Sequence, residues 1–184
     1  MLSSQITFRT ALPSESARVA ELHAASWRSA YRGYLSDAYL DTDIVAERAR
    51  VWQARFVPPL DRQYVLLAEQ GDALVGFACV LLDAEPDWGA CLDNLHVRPG
   101  LTGQGLGSRL FMQALRWVAQ AEPGWAMHLF VLAGNTAARR FYARHGGEAV
   151  EHTTKHLPDG STPPVYRYLW RDPARLRAAL LGEA

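Results

Sequence analysis

Between Leu95 and Ser108 an apolar strand passes through a glycine-rich turn straight into a helix, in the order Leu95-His96-Val97-Arg98-Pro99-Gly100-Leu101-Thr102-Gly103-Gln104-Gly105-Leu106-Gly107-Ser108. A strand that hands over to a helix in so few residues requires a layered α/β arrangement, with the helix packed back across a sheet. Glycines at alternate positions remove the Cβ atoms that would hold a ligand away from the main chain, so consecutive N–H groups can converge on anionic oxygens. The following helix adds its N-terminal N–H groups and the positive end of its dipole. Arg98 is the only cation in the segment, so a phosphate held here is held mainly by backbone donors. The pattern reads as a pyrophosphate cradle.

Two common phosphate loops do not fit it. A P-loop counted from Gly100 places Gly105 correctly, but Leu106 and Gly107 stand where Lys and a hydroxyl residue are needed. The dinucleotide fingerprint fails because Gly103 and Gly105 are followed by Ser108. That fingerprint also opens the first strand-helix unit of a domain, whereas this loop follows several strand-like segments.

The flanking chain supplies the rest of the layers. Gln5 to Arg9 alternates as a short strand, and Pro13-Ser14-Glu15 is a helix start with Val19, Leu22, Trp27 and Tyr31 at helical spacing behind it. A second helix is predicted over Thr42 to Phe56, ending before Pro58-Pro59. Tyr64 to Glu69 and Leu74 to Leu82 form a hairpin about Gln70-Gly71-Asp72, and Ala90 to Val97 is the next strand. Leu106, Leu110, Ala114, Trp117 and Val118 mark the buried stripe of the helix after the glycine turn. Ala126 to Leu132 is then a strand, Thr136 to His145 a helix stopped by Gly146-Gly147, and Ala149 to His156 and Val165 to Trp170 are the last strands. The order predicts a single α/β domain over residues 1–184, with its core over about 5–171 and a short helix over 173–181. Its sheet is mixed but mostly antiparallel, flanked by helices. The crossover from Val97 to Ala126 makes those two strands parallel and puts the glycine loop at a strand's carboxyl end, where open sheets bind ligands. The strand over Val165 to Trp170 is taken as an edge that could pair in a homodimer; a monomer is equally compatible.

Bulk properties exclude several functions. The 184 residues suffice for one substantial core, and 19 basic residues cancel 19 acidic ones, so no overall field recruits nucleic acid or a membrane surface. With no signal-peptide pattern and no spanning run, a cytoplasmic enzyme is expected. Cys79 and Cys91 both fall in strands and read as core or pocket residues. His152 and His156 lie four apart on what reads as a strand without partners at ligand spacing, so no metal site is expected.

The residues now in view resemble the GNAT superfamily of N-acetyltransferases over nearly the whole chain. The family's acetyl-CoA motif, V-x-P-x-x-[RQ]-G-x-G-x-G, maps onto Val97, Pro99, Thr102, Gly103, Gly105 and Gly107, with Thr102 where Arg or Gln is usual. Leu129-Phe130-Val131, Asn135, Ala138, Phe141-Tyr142 and Gly146 match the second motif, V-x-x-x-N-x-x-A-x-x-F-Y-x-x-x-G. The resemblance implies a GNAT-like fold and acetyl-CoA as co-substrate, held by Leu95, His96, Val97, Thr102, Gly103, Gln104, Gly105, Leu106, Gly107, Ser108, Asn135 and Tyr142. Asn135 is expected to bond the pantetheine arm or to orient its helix. The first two helices would shape the acceptor pocket, with Trp27, Tyr31, Tyr34 and Cys91 as wall residues.

The chemistry then asks for a proton acceptor and a proton donor. An alkyl amine of pKa near 10.4 is about a thousandfold protonated at neutral pH, a cost of roughly 4 kcal/mol before it can attack a thioester. Where the family commonly carries a carboxylate, six residues before Val97, this chain has Cys91. Asp93 shares Cys91's strand parity and is the first candidate base, acting through water; His96 has the opposite parity and is second. By resemblance, Tyr142 bonds the coenzyme sulfur and protonates the departing thiolate. Main-chain N–H groups about Leu95 and Val97 would meet the developing oxyanion. The acceptor is read as the amine of a small molecule or of a peptide or protein, with direct transfer and no acetyl-enzyme. The competing class is a non-catalytic acyl-CoA sensor, to which Cys91 and Thr102 lend weight.

Overall fold

The computed structural model describes residues 5–57 and 61–181. In chain order the regular elements are β1 (Ile6–Thr10), α1 (Ser16–Ala30), α2 (Ile44–Phe56), β2 (Gln63–Gln70), β3 (Ala73–Leu81), β4 (Ala90–Val97), α3 (Leu106–Ala121), β5 (Met127–Leu132), α4 (Thr136–Arg144), β6 (Glu148–Thr154), β7 (Pro164–Trp170) and α5 (Pro173–Leu181). The strands form one seven-stranded sheet in the order β1-β2-β3-β4-β5-β7-β6. β1 runs antiparallel to β2, β5 and β6 both run antiparallel to β7, and β4 runs parallel to β5. The architecture is therefore the mixed, mostly antiparallel α/β sheet that the element order predicts. No helix of the described residues is long and apolar enough to cross a membrane.

The chain clusters into two compact units. One comprises the chain up to Cys79 together with Asn94–Phe111. Its centre is β3, where Leu74 to Val80 are buried without a break. A strand reads this way only when both its faces are covered. On one face a Cβ added at Gly76 would meet the Leu110 and Leu106 side chains of α3; on the other, Phe77 packs its ring 5.4 Å from Trp52 of α2 and 5.7 Å from His23 of α1. The start of α1 is fixed by Glu15, whose carboxylate accepts from the Leu12 N–H at 2.8 Å and pairs with Arg9 and Arg18.

The second unit comprises Val80–Asp93 and the chain from Met112 onward. Met127, Leu129 and Val131 of β5 and Val165 and Trp170 of β7 are buried. Gly147 lets α4 close against β7. A Cβ there would lie 2.6 Å from the Trp170 ring, 2.9 Å from the Tyr168 ring and 2.9 Å from the Tyr142 carbonyl oxygen. Within this unit Arg167 of β7 donates to Glu85, to Glu151 and to Nδ1 of His128, and its guanidinium lies 4.2 Å from both the Trp88 and the Phe130 ring centres.

Four details depart from the sequence-based expectation. The second helix is preceded by a π-helical turn over Tyr39–Asp43, which buries Tyr39 and Leu40 ahead of it. In α3 the buried stripe uses Phe111 and Leu115 beside Leu110 and Val118, while Trp117 is only half-buried. β6 ends at Thr154, so His156 does not share a strand face with His152; its Nδ1 instead lies 3.3 Å from the Thr162 hydroxyl. Finally, β7 is not an edge strand. It returns between β5 and β6, and β6 takes the edge.

Candidate functional site

The glycine turn belongs to the first unit and is anchored at its entry. The Arg98 N–H donates to the Val75 carbonyl at 2.9 Å, and the Arg98 Nε donates to the Leu74 carbonyl at 2.9 Å. The one cation of the segment is thereby turned onto the end of β3. Beyond it, Gly100, Gly103 and Gly105 adopt φ values of 87°, 79° and 80°, and a Cβ added at any of them would meet nothing within 4 Å. Backbone conformation, rather than crowding by the protein, is what demands glycine here. α3 begins directly afterwards, with the Arg109 N–H bonded to the Gly105 carbonyl at 3.1 Å and Leu106 buried as its apolar anchor. The N-terminus of an α-helix directs its first N–H groups outward, away from the helix's own carbonyls. Thr102 and Gln104 lie exposed on the turn. An open face of positive-φ residues at a helix N-terminus, with its arginine engaged elsewhere, fits an anionic ligand held through main-chain N–H groups.

In the same unit α1 carries the predicted pocket aromatics. Trp27 packs edge-on to Tyr31 at 5.1 Å, and burial pushes the Tyr31 phenol up to about 12. Tyr34 is 39% exposed just beyond the helix. The Arg48 guanidinium lies 4.6 Å from the Trp27 ring centre and is bound by Glu47, whose carboxylate also accepts from the Tyr39 hydroxyl at 2.9 Å. His96 of β4 turns towards α1: its Nδ1 is 2.9 Å from the Ser26 hydroxyl and its ring 4.6 Å from that of His23. His23 is 1% exposed, and burial, with His96, Arg48 and Arg55 adding to it, holds its pKa well below 6.5. Its Nδ1 accepts from Trp52 Nε1–H at 3.0 Å. Neutral His23 therefore carries its proton on Nε2.

The second unit holds Cys91, Asp93, Asn135 and Tyr142. The β4–β5 ladder pairs only Ala90 with Met127 and Cys91 with His128, which leaves the main-chain groups of Leu95 and Val97 outside it. Burial, reinforced by the Asp93 carboxylate, pushes the Cys91 thiol up to about 12. Asp93 is exposed while Cys91 is buried. The Asn135 Oδ1 accepts from the Ala138 N–H at 3.0 Å, capping α4 and orienting it. Tyr142 is half-buried on that helix, its ring 5.2 Å from Phe141, 5.9 Å from Trp170 and 6.1 Å from Tyr168. No group of three His, Cys, Asp or Glu side chains among the described residues is placed to hold a metal ion.

Sequence reasoning passed over His23, Ser26, Arg48 and Trp52. For His23 a signal was present, since His23, Trp27 and Tyr31 repeat at i, i+4. Trp52 is 29 residues from the histidine it fixes, and no local pattern connects them.

Comparison with known proteins agrees with this geometry. Residues 16–147 match the model of the Acetyltransferase (GNAT) family. The chain is 30% identical over 148 residues to a probable N-acetyltransferase of Mycobacterium tuberculosis, Rv2775, covering 78% of this chain and 80% of that one. Among solved structures it is similar to the PaiA N-acetyltransferase of Thermoplasma acidophilum in complex with coenzyme A, at 19% identity and a TM-score of 0.72, over 91% of this chain and 99% of that one. It is also similar to the spermidine N-acetyltransferase SpeG of Vibrio cholerae, at 16% identity and a TM-score of 0.65, over 91% of this chain and 94% of that one. The family match spans both the glycine turn and α4 with its Asn135 cap and Tyr142, and this chain belongs to the GNAT family of acetyltransferases.

Proposed function

We propose that this acetyltransferase moves an acetyl group from acetyl-CoA directly to the primary amine of a small molecule. The observation that carries the reading is the turn over Gly100–Gly105, with three positive-φ glycines, open space where side chains would stand, and a helix N-terminus behind it. When bound, acetyl-CoA supplies the acetyl group as a thioester, so that an N–C bond forms as the C–S bond breaks. Gly103, Gly105 and the first N–H groups of α3, with Thr102, Gln104 and Ser108 beside them, hold the pyrophosphate. Asn135 holds α4 in the orientation that presents Tyr142. Main-chain N–H groups at Leu95 and Val97 receive the negative charge that develops on the acetyl oxygen.

Two protons must move. Asp93, exposed at the middle of β4, takes the proton of the amine through water. Tyr142 gives its phenolic proton to the departing sulfur, a transfer between groups of similar intrinsic pKa, near 10 and 8.5, that needs little driving force. Direct transfer is supported by Cys91, because a thiol with a pKa of about 12 is almost wholly protonated at neutral pH and is a poor nucleophile.

Tyr142→Phe is the test. It keeps the ring packing against Phe141 and Trp170 and removes only the proton donor. Steady-state thiol release with an amine panel is expected to show kcat lowered about 10²-fold, with the KM for acetyl-CoA changed less than threefold. Unchanged kcat in the variant would remove Tyr142 from the reaction.

A further inference from the structure

The α1 wall holds two buried hydrogen-bond donors and nothing for them to bond. Trp27 Nε1 and His23 Nε2 are both inaccessible to solvent and neither has a hydrogen-bond partner. They stand one turn apart on α1, with rings 4.9 Å apart. Because Trp52 donates to the other ring nitrogen of His23, the orphan atom of that imidazole is an N–H. An N–H buried without a partner forfeits its bond to water, so a pair of them on one helix face calls for an explanation.

Two guanidinium groups stand about the pair. Arg48 lies over the Trp27 ring and Arg55 lies 5.1 Å from the Trp52 ring centre, and both disfavour a proton on His23. The Glu47 carboxylate is bound by Arg48 and by the Tyr39 hydroxyl. A polyamine brought here would meet guanidinium groups and unmet donors. An acceptor with a carbonyl or carboxylate oxygen near its amine would meet what it needs.

Resting on the acetyl-transfer reading above, we infer that the acceptor amine carries a carboxylate or carboxamide group, whose oxygen is bound by Trp27 Nε1–H and His23 Nε2–H. The two residues are specificity determinants and take no part in proton transfer. They select amino-acid-like amines over the same amines without the oxygen, as a site with buried donors discriminates against a ligand that leaves them unpaired.

The test uses the full chain and three matched mixtures: the common L-amino acids, their amides, and their decarboxylated amines. Thiol release from acetyl-CoA is expected to favour the acids or the amides over the amines by tenfold or more in kcat/KM; which of the two leads reports the weight of charge against hydrogen bonding. Trp27→Phe, which keeps an aromatic ring, is expected to raise the KM for the favoured class about tenfold and to abolish its preference over the decarboxylated amines. A second readout needs neither turnover nor substitution. In the 15N-labelled protein with coenzyme A bound, the Trp27 indole N–H resonance, assigned through its contacts to Tyr31 and His23, should move downfield with acids or amides and stay still with the amines.

If decarboxylated amines are acetylated as fast as the acids and amides, or if the preference survives Trp27→Phe, the inference is wrong and acetyl transfer stands. If no amine releases thiol while the indole resonance still responds to the oxygen-bearing mixtures, the inference stands and acetyl transfer falls. An indole resonance unmoved by every mixture overturns the inference, and the two donors are then satisfied by aromatic faces alone.

Discussion

Cys91 and Tyr142 show how residues of comparable intrinsic acidity are set to different tasks by their surroundings. Cys91 is 7% exposed and has the Asp93 carboxylate beside it, so its thiol is pushed up to about 12 and stays protonated. At pH 7 the thiolate is then about one part in 10⁵, too little to attack a thioester or an alkylating agent. Tyr142 is half-buried, held on α4 by aromatic neighbours, and can serve as a donor without ever needing to be a base. Cys91→Ala is therefore expected to keep thiol release within about threefold of the parent, and iodoacetamide should leave the parent's rate unchanged. A loss beyond tenfold by either route would place a covalent step at Cys91. At this scale the Asn135 cap and the positive-φ glycines are legible in the motifs, because each is set by its near neighbours in the chain, whereas the packing of Tyr142 on Tyr168 and Trp170 is not. The state of His23 is not legible, because it is set by Trp52 from another helix and by His96 from a strand.

Among the elements, those whose apolar spacing is regular were readable. Leu106, Leu110, Ala114 and Val118 repeat at i, i+4, and α3 forms where they predict. The π turn before α2 and the placement of β7 between β5 and β6 were not, since no local apolar spacing marks the one and the other rests on pairing between distant strands. The same long-range pairing builds the knot about Arg167, whose partners Glu85, His128 and Glu151 come from a loop and two other strands. Burial, helped by Arg167, holds the His128 pKa near 4, below its unfolded value of about 6.5. Below pH 6.5 the unfolded chain binds a proton that the folded one refuses. Stability is thus complete above pH 6.5 and falls as pH drops through about 4, by an amount of order 3 kcal/mol at the limit. Urea unfolding at pH 7.5, 6 and 5 is expected to give falling stability, with the decline reduced in His128→Gln, whose amide oxygen can still accept from Arg167. An unchanged pH slope in that variant would mean that His128 is not neutral in the folded chain.

In the whole molecule a seven-stranded sheet of order β1-β2-β3-β4-β5-β7-β6 goes with a glycine turn that we propose binds the coenzyme through its main chain. The fold was legible because strand, glycine turn and helix follow one another without a gap, and the second motif recurs at its proper distance. The acceptor was not legible in those motifs, because the residues that argue for it, His23, Trp27, Trp52 and Arg48, meet only through folding. With Thr102 where the family usually has Arg or Gln, we propose that the main-chain donors are the principal hold on the coenzyme. Thermal unfolding of the protein with acetyl-CoA, and with NAD as comparator, tests this most directly. A ligand that binds only the folded chain adds about 2.7 kcal/mol at a hundredfold excess over its dissociation constant, a shift of several degrees in the midpoint. The account predicts a raised midpoint with acetyl-CoA and none with NAD. An unchanged midpoint at millimolar acetyl-CoA, or an equal rise with NAD, would contradict it.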